Sequence, residues 1–330
     1  MGPARCAAEG HGRMMGCTAD LMARWGRPGA IMFEDRFGGP VVVLQSPRGR
    51  AVVALQGAQV LSWVPGSQGE GRGGGESGGQ SDVFWLSPVA RLGTGKAVRG
   101  GVPICWPWFG PHPHGGASPA HGFVRTALWT VHSASAADHD TSTHEVRLTL
   151  TIDAPGASFA PWPHAAAAML EITLGQSLTL SLSTENTGAE PFVLTQALHS
   201  YFSVGDIART VLTGLDGRRY IDQLQPSLQP VQRGSLTIAA EVDRIYQDSP
   251  DAVAIADEAR GRKIEISKTG SLSTVVWNPW IEKSARLGDA GADGYRCFVC
   301  VETANAGGDA VTLAPGGRHQ LVAKFAVRQL

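Results

Sequence analysis

The chain has 330 residues, 43% of them hydrophobic, and its 28 Lys and Arg against 29 Asp and Glu leave a net charge of −1. That balance argues against a nucleic-acid or anionic-membrane surface, which needs a clustered basic excess, and no apolar run approaches the roughly 20 residues that span a bilayer. A soluble protein is expected, long enough for one large β domain or two ordinary ones.

The first 28 residues are rich in Arg, Ala, Gly and Met, with Arg5, Arg13, Arg24 and Arg27 beside Glu9 and Asp20. A transit peptide is basic and poor in acids. Residues 1–28 therefore read as a disordered extension of a cytoplasmic protein, a plastid or mitochondrial address being the alternative. From Val41 the chain reads as strands. "VVVLQ" and "AVVAL" flank the turn "SPRG", and "AQVLSWV" follows Gly57. "GSQGEGRGGGESGGQS", residues 66–81, has no apolar residue and cannot offset the entropy of ordering itself. It reads as a flexible insertion within one domain spanning 29–330, because strand-like sequence continues on both sides.

"HEVRLTLTID" alternates apolar and polar residues, as a half-buried strand does. In "LEITLGQSLTLSLSTEN", Leu170, Ile172 and Leu174 face Leu178, Leu180 and Leu182 across a turn at residues 175–177. "AVTL", "APGGR" and "HQLVAKFAV" repeat the theme at the C-terminus. Amphipathic helices are nearly absent; "HAAAAML" comes nearest to a helical face. The fold class is all-β, a large antiparallel sandwich with few short helices.

Cys6, Cys17, Cys105, Cys297 and Cys300 are odd in number and irregularly spaced, which suits reduced thiols. Cys297 and Cys300 form C-x-x-C in "YRCFVCVE", where strand geometry would turn two buried thiols to opposite faces. His112, His114 and His121 lack a carboxylate or cysteine at usual ligand spacing, so no metal is expected. Nucleotide-loop and serine-hydrolase motifs are absent, and no cofactor is expected.

Some residues are better suited to carry chemistry than others. Arg99 lies in "KAVRGGVPICWPWFG" and Arg125 in "HGFVRTALW" beside His121. Two arginines on stiff loops can grip a phosphate or carboxylate through paired donors; each alone reads more readily as a surface or ion-pair residue, and it is the pair that points to a ligand. The adjacent Gly100 and Gly101 would clear space for a ligand. His199 in "LTQALHSYFSVGDI" is either a satisfied core histidine or a partly desolvated acid. Glu302 ends an apolar strand in "CFVCVETAN", and carboxylates are rarely buried unless paired or functional. Asp243 in "EVDRIYQ" is a weak signal. In "VVWNPWIEKS", Trp277 and Trp280 bracket Asn278-Pro279, either a platform for a sugar face or a packed loop.

Taken together, "FWLSPVARLGTGKAVRGGVPICWPWFG", "HGFVRTALW", "LHSYFSVGDI", "YIDQL", "EVDRIYQ", "VVWNPWIEKS" and "LAPGGRHQ" resemble the aldose 1-epimerase (mutarotase) superfamily, in its hexose-6-phosphate branch. The segments occur in the family's order over roughly residues 31–330. The resemblance implies a galactose mutarotase-like supersandwich with the sugar in a cleft on its concave face. It implies Glu302 as catalytic base and His199 as catalytic acid, with Arg99 and Arg125 contacting phosphate and sugar and Asp243 holding sugar hydroxyls. His121 and Trp277 complete the expected substrate-binding set. The partner is then a small hexose 6-phosphate, with no nucleic acid, no membrane and a monomeric enzyme. One departure is Ala120, where members often carry a glutamine that contacts substrate; another is "ETAN" after the strand, in place of an "EPGH"-like continuation. Two other readings stay open: a mutarotase for unphosphorylated hexoses, and a sugar-phosphate-binding protein without catalysis.

Overall fold

The computed structural model describes residues 18–66, 81–113, 115, 118–137, 144–156 and 162–330. Most of the expected extension (1–17) and of the expected insertion (67–80) lies outside them, as do Cys6, Cys17 and His114. The described part of residues 1–28 is structured, since Thr18–Trp25 is an α-helix. Its Leu21, Met22 and Trp25 pack against the main core, and paired hydrogen bonds between Arg27 and Ile31 tie its end to the first strand. The spacing of these three apolar residues gives the helix one face to bury.

Antiparallel strands make up the rest. A nine-stranded sheet runs in the spatial order Leu236–Thr237, Thr210–Thr213, Val253–Asp257, Arg262–Thr269, Arg318–Gln329, Leu178–Asn186, Ala165–Leu174, Val146–Pro155, Thr130–Ala136. The hairpin read from the sequence is there in register, with Leu174 opposite Leu178, Ile172 opposite Leu180 and Leu170 opposite Leu182. "HAAAAML" is part of a strand and not a helix: its alanines pair on both sides, with 146–155 and 178–186, so tertiary pairing overrides alanine's helical preference.

A seven-stranded sheet faces it, in the order Tyr220–Asp222, Val242–Tyr246, Ser273–Asn278, Phe298–Asn305, Gln196–Leu198, Ile104–Cys105, with Tyr201–Ser203 also paired to Phe298–Asn305. Ile31–Arg36, Gly39–Ser46, Gly49–Ala54 and Val60–Pro65 form a four-stranded meander. The core lies between the two large sheets. Phe325 of the nine-stranded sheet meets Phe202 of the seven-stranded one, ring centroids 5.6 Å apart, and Phe84 at 5.4 Å. Leu150, Leu170, Leu182 and Leu321 from one side join Tyr246, Val276, Val299 and Val301 from the other in a single apolar cluster.

Strand Phe298–Asn305 is buried along its whole length, and successive side chains alternate between the faces of its sheet. Val299 and Val301 enter the core, whereas Phe298 and Cys300 join a separate cluster with Tyr201 and Trp277. The face carrying Phe298, Cys300, Glu302 and Ala304 is thus the one turned away from the core. On the core side, Asn305 Oδ1 accepts from Gln196 Nε2 at 3.0 Å and lies 3.0 Å from His319 Nε2, which pins the strand end.

A buried ion pair joins the sheets. Asp257 is fully buried and its Oδ2 lies 3.3 Å from Arg262 Nε. Arg262 also donates to the carbonyls of Ser81, Asp82 and Ser203, tying the nine-stranded sheet to the strand that follows His199. Removing one partner of such a pair strands the other charge, at about 3–5 kcal/mol. Arg262→Met should lose stability on that scale in urea unfolding, and Asp257→Asn added to it should restore part of the loss.

Candidate active site

The ladder between Gln196–Leu198 and Phe298–Asn305 places Leu198 opposite Thr303. One further step along that register sets His199 beside Glu302, as cross-strand neighbours. Their side chains meet: His199 Nδ1 is 3.3 Å from Glu302 Oε1. The backbone there is fixed on both sides. His199 N–H donates to the Pro103 carbonyl at 2.9 Å, and Tyr201 N–H to that of Gly101 at 2.9 Å. The imidazole stacks on Tyr201, centroids 4.8 Å apart and planes within 10°, and meets Trp277 edge-on at 6.2 Å.

Glu302 is 1% exposed, so ionising it without a partner is costly. Burial first, then the negative charge of Asp243, pushes its carboxyl well above the usual carboxylate range. Burial likewise pushes His199 well below the usual imidazole value, helped by His121, Arg125 and Arg99. These opposed shifts favour a pair that holds one proton between two neutral groups, and such a pair titrates as a unit. Among the described residues, His199 Nδ1 and Glu302 Oε2 have no hydrogen-bond partner of good geometry.

Arg99 reaches this pocket. Its Nε donates to Asp289 Oδ1 at 2.7 Å and a terminal nitrogen donates to the Tyr201 hydroxyl at 3.3 Å. The two glycines after it serve the backbone and not a ligand, which corrects the space-clearing role expected for them. Gly100 and Gly101 have φ of +111° and +59°, and a Cβ on either would strike the backbone carbonyls of Trp85 and Val60, at 2.5 and 2.0 Å. Only glycine fits that path.

The second arginine segment bends in the same way. His121 itself adopts a left-handed φ of +63° and Gly122 follows at +75°; a Cβ on Gly122 would meet the Trp106 carbonyl at 1.8 Å. This turn brings the His121 ring to 5.7 Å from that of His199. His121 Nδ1 accepts the Gly110 N–H at 3.2 Å, so its proton sits on Nε2. Burial, then Arg125 and Arg99, lowers its pKa to about 4. Arg125 donates to the Ala120 carbonyl, so the position that lacks the family's glutamine holds the arginine through its backbone.

Asp243 pairs across the sheet with Trp277, and Trp277 with Cys300, which sets the three on one face. Burial raises Asp243 to about 6 against the pull of Lys283, whose Nζ lies 3.7 Å away and 2.8 Å from Glu241. The same ammonium stands 5.8 Å over the Trp277 ring. Arg99, His121, Arg125, His199, Asp243, Trp277 and Glu302 are thus linked to one another: His121, Arg125 and Arg99 act electrostatically on His199, Asp243 acts on Glu302, and Trp277 meets His199 edge-on. Trp280 does not join them; it packs on Tyr295 at 5.1 Å, so the expected two-tryptophan platform is a single ring.

Tyr201, Lys283, Asp289 and Cys300 were missed. Tyr201 and Lys283 lay inside the segments quoted above, and Asp289 carried no signal because its partner is 190 residues away. The C-x-x-C reading is also corrected: Cys297 ends a 3-10 turn, Gly294–Cys297, and is exposed, while only Cys300 is a buried strand thiol. Among the described residues, which leave out His114, a group that could hold a metal lies outside the histidine run. His199, Cys300 and Glu302 present ligand atoms within 4.8 Å of one another, contributed by strands distant in sequence.

Residues 40–326 match the family described as Aldose 1-epimerase. A protein of Escherichia coli (strain K12), named as a candidate glucose-6-phosphate 1-epimerase, is 38% identical over 267 residues, covering 81% of this chain and 83% of its own. A similarly named protein of Cenchrus ciliaris is 32% identical over 295 residues, covering 88% of this chain and 85% of its own. The crystal structure of a candidate mutarotase from Salmonella typhimurium superposes with a TM-score of 0.79 at 32% identity, covering 91% of this chain and 94% of that one. A galactose mutarotase-like protein from Clostridium acetobutylicum, 12% identical, shares the fold at a TM-score of 0.69 over 91% of this chain and 98% of that one. With its antiparallel sheets, a family match over most of its length and a relative 38% identical over 81% of it, the chain belongs to the aldose 1-epimerase family.

Proposed function

We propose that this chain interconverts the α and β anomers of hexose 6-phosphates, glucose 6-phosphate foremost, as a cytoplasmic monomer. The observation that carries the reading is the contact of His199 Nδ1 with the buried Glu302 carboxyl at 3.3 Å, beneath two arginines. The relatives named for glucose 6-phosphate support the substrate.

The anomers differ only at C1, so exchange requires the ring to open to the aldehyde. Glu302 takes the proton of the C1 hydroxyl, and His199 delivers one to the ring oxygen as the C1–O5 bond breaks. Rotation about C1–C2 offers the other aldehyde face, and reversing both transfers closes the opposite anomer. Atoms and electrons balance without oxidation. The working state carries one proton on the pair, with the carboxylate ionised and the imidazole charged. Burial favours the neutral arrangement of that same proton. A sugar that hydrogen-bonds both groups replaces the water they lose and lets the charged arrangement form within the complex. Trp277 offers an apolar ring to one sugar face, and Asp243 an acceptor for hydroxyls. Arg99 and Arg125 supply donors for the phosphate, with Arg99 exchanging Asp289 for the incoming anion.

Each proton transfer is worth about 10²–10⁴-fold, so Glu302→Gln and His199→Ala should each slow exchange of glucose 6-phosphate by that factor, measured by NMR saturation transfer. A chain that binds the sugar phosphate equally well before and after these changes, with no exchange in either case, is a binding protein. Arg99→Ala should reduce kcat/KM for glucose 6-phosphate far more than for free glucose; equal losses would remove the phosphate role. The pH profile follows from the pair. A second proton must enter against burial and two arginines, so the acid limb falls below the ordinary imidazole value of 6.5. The last proton is held by a buried carboxyl, so the alkaline limb falls well above 4.5. The profile of kcat/KM should be a bell with its plateau through neutrality. An acid limb above 6.5 that persists in Asp243→Asn, which removes the carboxyl titrating near 6, would contradict the assignment.

A further inference from the structure

Cys300 takes no part in ring opening, yet its thiol lies within 4.8 Å of ligand atoms of the two groups that do. It is fully buried, it precedes Glu302 by two positions on the same face of strand Phe298–Asn305, and its cross-strand partner is Trp277. We propose that His199, Cys300 and Glu302 form a binding site for a thiophilic divalent cation, Zn²⁺ or Cd²⁺, and that the bound ion shuts off catalysis by occupying the groups the sugar needs.

The geometry comes first. One ring nitrogen, one sulfur and one carboxylate oxygen lie within 4.8 Å of one another. A tetrahedral shell with metal–nitrogen and metal–oxygen bonds of about 2.0–2.1 Å and a metal–sulfur bond of about 2.3 Å spaces its ligand atoms by roughly 3.3–3.8 Å. His199 Nδ1 and Glu302 Oε1 already stand at 3.3 Å. Moving the thiol inward by about an ångström completes three corners, and the fourth stays open toward the pocket.

Two of these groups are not otherwise engaged. Glu302 Oε2 and His199 Nδ1 are buried polar atoms without a hydrogen-bond partner among the described residues, the condition in which a ligand gains most. Charge also fits. A thiolate and a carboxylate bring two negative charges, so the complex with a divalent ion and a neutral imidazole is neutral overall and tolerates burial. Thiolate and imidazole select Zn²⁺ and Cd²⁺ over Mg²⁺ and Ca²⁺, which take oxygen shells. The ion must displace two protons, from the Cys300 thiol and from the Glu302 carboxyl, both of which burial holds tightly; metal binding to such ligands releases protons in general.

The site itself stands on geometry, whereas the loss of activity rests on the epimerase reading, and the two are tested separately. The full chain with Cys6, Cys17 and exposed Cys297 changed to Ser is titrated with CdCl₂ while the ultraviolet thiolate-to-cadmium absorption is followed. One Cd²⁺ per chain should raise that band, and glucose 6-phosphate should suppress it. Cys300→Ser should abolish the band. His199→Ala, which keeps the thiol, should weaken the affinity by more than about 10-fold, since even supporting groups around a metal are worth that much. In parallel, ZnCl₂ should slow anomer exchange in competition with glucose 6-phosphate, with the half-inhibitory concentration rising more than about 10-fold in Cys300→Ser relative to its own uninhibited rate. A band that survives Cys300→Ser overturns the site; a band that Cys300→Ser abolishes but glucose 6-phosphate does not suppress keeps the site and overturns its overlap with the sugar. A chain that shows the competed band but no anomer exchange keeps the site and loses the epimerase reading.

Discussion

Everything at the site depends on a carboxyl held out of water. Glu302 is 1% exposed in the middle of a buried strand, and the protein tolerates it because an imidazole stands 3.3 Å away. Burial moves the two groups in opposite directions, the carboxyl up and the imidazole down, so the pair is favoured as a neutral carboxyl beside a neutral imidazole. In water the carboxylate would be too weak a base to share a proton with an imidazole on equal terms.

The fold supplies this environment by alternation. Val299 and Val301 anchor their strand in the core, so Cys300 and Glu302 have to face the other way. The sheet then sets their neighbours: Val275 stands opposite Glu302 and Trp277 opposite Cys300, and Asp243 opposite Trp277. A one-residue slip of strand 298–305 would send the carboxyl into the apolar core. The polar contacts of Asn305 at the strand end oppose that slip.

Loops add the cationic side of the pocket, and they do so through backbone conformations that few residues accept. Gly100, Gly101, His121 and Gly122 all have positive φ. The glycines are there because backbone carbonyls leave no room for a Cβ, and the arginines beside them are aimed as a result. Arg99 is then engaged by Asp289 and Tyr201, which neutralises part of its charge and keeps its guanidinium in one orientation. Its position therefore serves fold and pocket together, the backbone through the glycines and the side chain through its fork of donors.

The strands, their hairpin register and the polar–apolar alternation were legible in the sequence because they follow from local periodicity. Unusual segments such as "VRGGVPICWPWFG" and "LHSYF" drew attention to Arg99 and His199, and the resemblance they carry set Glu302 beside them as a candidate. The helix at 18–25 escaped that reading because its apolar face is only three residues wide, and "HAAAAML" misled because alanine's helical preference is overruled by pairing on both sides. What only the tertiary structure decided was proximity. His199 and Glu302 are 103 residues apart in sequence and 3.3 Å apart in space, and Arg99 and Asp289 are 190 apart. Sequence sets which side of its own strand each residue takes, but cross-strand register and the desolvation that shifts the pair's protons are properties of the closed sheet, because each requires groups that the chain brings together only on folding.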